Sequence, residues 1–188
     1  MLAILLGIYL LQGSRLSTEV SPDITIVIGN RQNIDESFEA DLEYMFGRNI
    51  QFLEATSNGI VPDQNDDGNY EADVLILCLT DSDDQQLLKD AISFGSASLF
   101  LLDHWSYEYI QNNISVFSEL EWVKLPDTLQ NTDDPYCYDL SSAPFISDIA
   151  LDDKSVYGYV LDVHNKKLVD MTVALLEAIK DEQIKYWY

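Results

Sequence analysis

The sequence predicts an α/β domain, a three-layer αβα sandwich with a mostly parallel sheet. Short β-branched apolar runs recur along the first hundred residues, helix-period segments alternate with them, and an amphipathic helix closes the chain. With 188 residues, 47% of them apolar and 11% aromatic, the chain can bury a core without metal or disulfide staples.

The run 23–28, Asp-Ile-Thr-Ile-Val-Ile, has the near-continuous apolar pattern of a strand buried on both faces, and Gly29-Asn30 ends it. Asn33 or Asp35 can cap a following helix, in which Phe38, Leu42, Met45 and Phe46 recur at helical spacing and Gly47 supplies a stop. Residues 50–55 read as a second strand, followed by a loop rich in Asp and Gly. Residues 73–79 give the clearest strand pattern in the chain, six apolar residues after an acid. Asp81-Ser82-Asp83 can cap a helix through Phe94, stopped by Gly95, and residues 98–102 form the next buried strand. From His104 to Asp153 the pattern loosens around Pro126, Pro135 and Pro144, with a helix expected only over 107–117. A strand over 156–163, irregular at Gly158, precedes a helix over 168–184 whose Leu168, Met171, Leu175, Leu176 and Ile179 share a face. Residues 21–188 therefore read as one domain without internal repeats. The apolar segment 1–20 stands apart as a signal-like, anchoring or buried element.

Ten Lys and Arg face 33 Asp and Glu, a net charge of −23. Such a chain repels nucleic-acid phosphates and anionic membranes, so a nucleic-acid partner is excluded and a membrane contact would run only through the N-terminal segment. The expected partners are a cation, a small polar ligand or the surface of a basic protein. Cys78 lies in an apolar run and reads as a buried small hydrophobe, and Cys137 gives no strong case for a disulfide with it. Residues 2–11 match a signal-peptide core in length, with Gly13-Ser14 as small residues behind it, but no basic residue precedes them. The reading favours an extracytoplasmic or surface-anchored place over a cytoplasmic one.

The sharpest chemical pattern is the loop from Asp63 to Glu71. Asp63, Asn65, Asp67 and Glu71 have the spacing of side-chain calcium ligands, Asn69 can add its carbonyl, and Gly68 permits the turn. An EF-hand is excluded, because Val74 occupies the position of the closing bidentate acid. The alternatives are a calcium loop outside the EF-hand class and a solvated turn. The turn after the first strand has one glycine, so there is no nucleotide or flavin signature. Arg31, Asp81 and His104 each follow a strand, at the carboxyl edge where open α/β sheets bind ligands. Arg31 can hold an anion there, while Asp81 can equally serve as a helix cap. The second histidine, His164, stands just before the terminal helix, and two isolated histidines do not make a zinc site.

Four stretches resemble, in their order, the blocks of the SGNH or GDSL hydrolases: Ile28-Gly29-Asn30-Arg31, Ser57-Asn58-Gly59, Leu79-Thr80-Asp81-Ser82-Asp83 and Asp162-Val163-His164. The resemblance implies a flavodoxin-like three-layer fold and an esterase or lipase using His164 with Asp162. Arg31 stands where that family has its serine, an acid replaces the oxyanion asparagine, and one residue is missing between Asp162 and His164. A serine at an elbow could then come only from Ser14. The functional expectation is a non-enzymatic acidic binding or structural module, calcium-stabilised at Asp63 to Glu71. An SGNH-like hydrolase and an acidic partner of a basic protein are the alternatives.

Overall fold

The computed structural model describes residues 22–31, 37–56, 63, 67–93, 95, 97–113, 121–143 and 155–181. Its centre is β1 (Ile24–Asn30), all seven residues of which are buried. β2 (Ala72–Cys78) pairs with one side of it and β3 (Ala97–Asp103) with the other, both parallel. Beyond β3 lie β5 (Val156–Val160) and then the short β4 (Cys137–Asp139), giving the order β2-β1-β3-β5-β4. Both of these outer pairings are antiparallel.

The sheet is therefore mixed: four of the described strands share one direction and β5 runs against them, so that two of the sheet's four pairings are parallel and two antiparallel. A parallel neighbour requires a crossover that returns the chain to the amino edge of the sheet. After β4, which runs in the same direction as β3, the chain turns back at the carboxyl edge, with Val156 beside Asp103, so β5 alone runs backwards. An apolar run carries no mark of its direction.

Helices flank both faces. Side chains of Ile24, Ile26 and Ile28 meet α1 (Ser37–Thr56) and α4 (Lys166–Lys180) through Phe46, Ile50, Leu175 and Ile179. The opposite face, with Val27, Leu77, Phe100 and Leu102, meets α2 (Ser82–Ser93) and α3 (His104–Asn113) through Leu88, Ile92 and Ile110. The period-2 alternation of each strand divides the core into these two halves.

Several helix ends form as the sequence implies. Asp81 caps α2 by accepting from the Asp83 amide at 2.8 Å. Gly95, at φ 64°, ends the helix with its amide on the Ile92 carbonyl. Asn165 caps α4, accepting from the amides of Lys167 and Leu168. The terminal helix runs over Lys166–Lys180, a shorter span than expected, and α3 starts at His104, directly on the end of β3.

Residues 50–55 are not a strand. They are the second half of α1, which continues through Gly47, and Ile50 and Leu53 extend the stripe of Leu42, Met45 and Phe46. Gly47 is there for space: a Cβ on it would lie 2.8 Å from the Tyr70 carbonyl oxygen, where the chain entering β2 crosses the helix. Gly158 is also a packing position, because its pairing stays in register on both sides and a Cβ would lie 2.7 Å from Leu176 Cδ1. Cys78 and Cys137 are buried free thiols on the two outermost described strands, separated by the width of the sheet and far beyond disulfide reach. Segment 1–20, Ser14 included, lies outside the described residues. No described helix is long and apolar enough to cross a membrane.

Gly47→Ala should destabilise the protein by about 1–3 kcal/mol, although alanine is the better helix former. Urea denaturation measures this against Gln51→Ala, an exposed site on the same helix whose effect should stay within about 0.5 kcal/mol. A gain in stability for Gly47→Ala would contradict the close approach.

Candidate functional site

The chain leaves β1 into α1 on one face and leaves β3 into α3 on the other. In open α/β sheets, opposed exits from neighbouring parallel strands mark the place outside their carboxyl ends where ligands bind. Asn30 and Asp103 end the two strands and follow the registered pair Gly29 and Leu102, so they are neighbours across this point. Both are 1% exposed. The Asp103 carboxylate accepts from the Ser106 amide at 2.5 Å and so starts α3.

Arg31 is fixed at the same place by its backbone. Its amide donates to Asn30 Oδ1 at 2.7 Å, and its carbonyl accepts from Thr80 Oγ1 at 3.3 Å and Cys78 Sγ at 3.4 Å. Its guanidinium lies 5.7 Å from the centre of the Trp105 ring, and Trp105 in turn stacks on Tyr109 at 5.2 Å. A cation on an indole at an exposed site contributes about 0.5–1 kcal/mol, enough to orient the group. Among the described residues no carboxylate forms an ion pair with Arg31.

Asp81 stands beside Thr80, exposed, with one oxygen engaged in capping. His104 opens α3, its Nε2 3.3 Å from Glu108 Oε1 and its ring 6.4 Å from that of Tyr157. The structure thus brings Arg31, Asp81 and His104 to one edge, as the sequence implies. It adds Asn30, Thr80, Asp103, Trp105 and Ser106. Ser106 is fully buried, and its hydroxyl is the one buried side-chain polar atom without a hydrogen-bond partner among the described residues. Its Cβ lies 3.6 Å from where a Cβ on Gly29 would stand, directly over the end of β1.

Asp162 and His164 lie elsewhere. β5 runs antiparallel and the Leu161 amide donates to the Ser98 carbonyl, which puts the residues after it at the amino end of β3. His164 is held at φ 57° by its amide on Asp162 Oδ1, with an 85% exposed side chain. It shares no crevice with Arg31, Asp81 and His104. The Cys137 thiol is pushed up by burial, the wrong direction for a nucleophile.

The acidic loop is at the amino end of β2. Asp63 accepts from the amides of Asp67 at 3.2 Å and Gly68 at 2.9 Å, and Asp67 accepts from Asn69 at 2.8 Å. Gly68 has φ 81°, as the turn requires. Asn65 lies outside the described residues. Glu71 is exposed and tied by its backbone to Asp23, whose carboxylate accepts from the Glu71 amide. Among the described residues no group of three or more His, Cys, Asp or Glu is placed to hold a metal.

Comparison with protein-family models, with curated proteins and with solved structures finds no significant match. The functional reading therefore rests on the geometry of the chain itself.

One acid outside the crevice is perturbed. Burial, with a smaller contribution from the negative charge of Glu43, pushes the Asp73 carboxyl up from 3.8 to about 6. A raised carboxyl makes the folded state bind more protons than the unfolded one between these two values. Stability should therefore rise as pH falls from 7 through 6 towards 4. Asp73→Asn should stabilise the protein at pH 7 by about 1–2 kcal/mol, allowing for partial exposure, and flatten that slope relative to the parent. Chemical denaturation of the pair between pH 4.5 and 7 measures the difference, and parallel curves would refute it.

Proposed function

We propose that the protein is a non-enzymatic acidic α/β binding module that takes a small anionic ligand, a carboxylate or phosphate, at the carboxyl edge between β1 and β3. The observation that carries this reading is the Arg31 guanidinium, oriented over Trp105 and without a carboxylate partner among the described residues. An arginine edge binds carboxylate and phosphate oxygens with two parallel hydrogen bonds. Thr80 Oγ1, which donates to the Arg31 carbonyl, fixes the backbone that carries the guanidinium. The buried Ser106 hydroxyl can be satisfied by a ligand oxygen or by a water that the ligand orders.

Titration of the protein with inorganic phosphate and with succinate, followed by two-dimensional amide NMR, tests the site. Shifts should centre on Asn30, Arg31, Thr80, His104 and the Trp105 indole, and Arg31→Ala should weaken binding roughly 10- to 100-fold. Shifts confined to other surfaces, or unchanged binding in Arg31→Ala, would refute the proposal.

A second reading is calcium ordering of the loop from Asp63 to Glu71, where the Asp63 carboxylate accepts from the amides of Asp67 and Gly68 and the Asp67 carboxylate from that of Asn69. That arrangement leaves oxygen lone pairs for a hard cation. Millimolar calcium should then raise the melting temperature of metal-free protein, and Asp63→Asn should abolish the shift. An equal shift with magnesium would point to general charge screening instead.

A further inference from the structure

β2 is the outermost strand on its side of the sheet among the described residues. Its exposure agrees: β1 and β3 are buried throughout, whereas Ala72, Asp73, Leu75 and Ile76 are half-exposed. The Leu79 amide donates inward to the Asn30 carbonyl. Strand alternation then turns the backbone groups of Val74, Ile76 and Cys78 outward. Carboxylates reach over from both flanking helices to meet two of them. The Val74 amide donates to Glu43 Oε1 of α1 at 3.5 Å, and the Cys78 amide to Asp84 Oδ2 of α2 at 2.8 Å. Between them no side chain of the described residues meets the Ile76 amide.

An open strand edge is a template for another strand, and acids along it turn away neutral and acidic chains. These acids are themselves in conflict. Glu43 and Asp73 are close enough for one charge to oppose the other, and neither has a lysine or arginine ion-pair partner among the described residues. The contact of Glu43 with Val74 is at the outer limit of a hydrogen bond, so it is readily exchanged.

We infer that the β2 edge is the docking site for an extended basic segment of a partner protein, which pairs with the Ile76 backbone and lays lysine or arginine side chains against Glu43 and Asp73. The chain's net charge of −23 brings such a segment in from a distance, and main-chain pairing fixes its register. This surface lies on the flank of the sheet and its test is independent of the ligand crevice at Arg31.

The probe is a blocked peptide of alternating lysine and valine, with an alternating glutamate and valine peptide as control. With the lysine peptide, hydrogen exchange of the Ile76 amide should slow by about tenfold or more, and binding should weaken steeply with added salt. Glu43→Gln combined with Asp73→Asn should weaken binding at least about fivefold while far-UV circular dichroism stays unchanged. Three results would overturn the inference: no binding at millimolar peptide, binding that leaves Ile76 exchange unaltered, or Ile76 protection that grows with protein concentration alone, which would assign the edge to a second copy. The exchange measurement is made on the parent protein, so it decides the matter even where a variant fails to fold.

Discussion

Everything in this fold is referred to one strand that water does not reach. β1 is covered on both faces by helices and paired on both edges, so its seven residues make contacts in every direction available to a strand. Each of its buried isoleucines and valines contributes about 1.5–3 kcal/mol by leaving water. Its two neighbours are both parallel, so each is reached by a crossover that carries a helix over a face of the sheet. The division of the core, the opposed departures of α1 and α3, and the crevice above Asn30 and Asp103 all follow from that placement.

The same constraint explains which parts of the fold were legible in the sequence. β1, β2 and β3 show as apolar runs because they are buried, α2 shows through its cap and α4 through its apolar face. The second half of α1 was hidden by Gly47, since a glycine kept for close approach and a glycine kept as a helix stop are the same letter. Ile50 and Leu53 held the helical spacing that told them apart. β4 has only three residues and lies among prolines and turns, too short for a period to register. At the site, Arg31, Asp81 and His104 were legible because each follows a strand. Asn30, Asp103 and Ser106 were not, because a buried polar residue at a strand end reads like an ordinary cap until its burial is known. Which end of the sheet holds Asp162 and His164 was not legible, because it depends on the direction of β5, which side-chain pattern does not encode.

The acidity of the chain is partly structural. Asp23, Asp63, Asp67, Asp81, Asp84, Asp103, Asp134, Asp139 and Asp162 each accept from a backbone amide in a loop, at a helix start or along an outer strand. In these places a carboxylate does what a further strand or helix turn would otherwise do, satisfying a donor that has no regular partner. Asp139 is the fullest case, with the amide and hydroxyl of Ser141 on one oxygen and its own amide on Asn131. A surface built this way is rich in acids without having been shaped for any one partner. Cations are scarce on it, which is why an oriented and unmatched guanidinium stands out.

Arg31 therefore works inside a field of the opposite sign to its own. An anion approaching Arg31 from bulk water meets the repulsion of a molecule carrying 23 excess negative charges before it meets the guanidinium. The repulsion acts over distance and is screened within about 8 Å at physiological ionic strength, whereas direct contact with the guanidinium survives screening far better. Under the proposed anion site, capture would be slow in dilute buffer and quicken as salt is added, the reverse of the usual rule for arginine sites. The same barrier would turn back highly charged anions more strongly than singly charged ones, so that residence, more than arrival, would decide which of them is held.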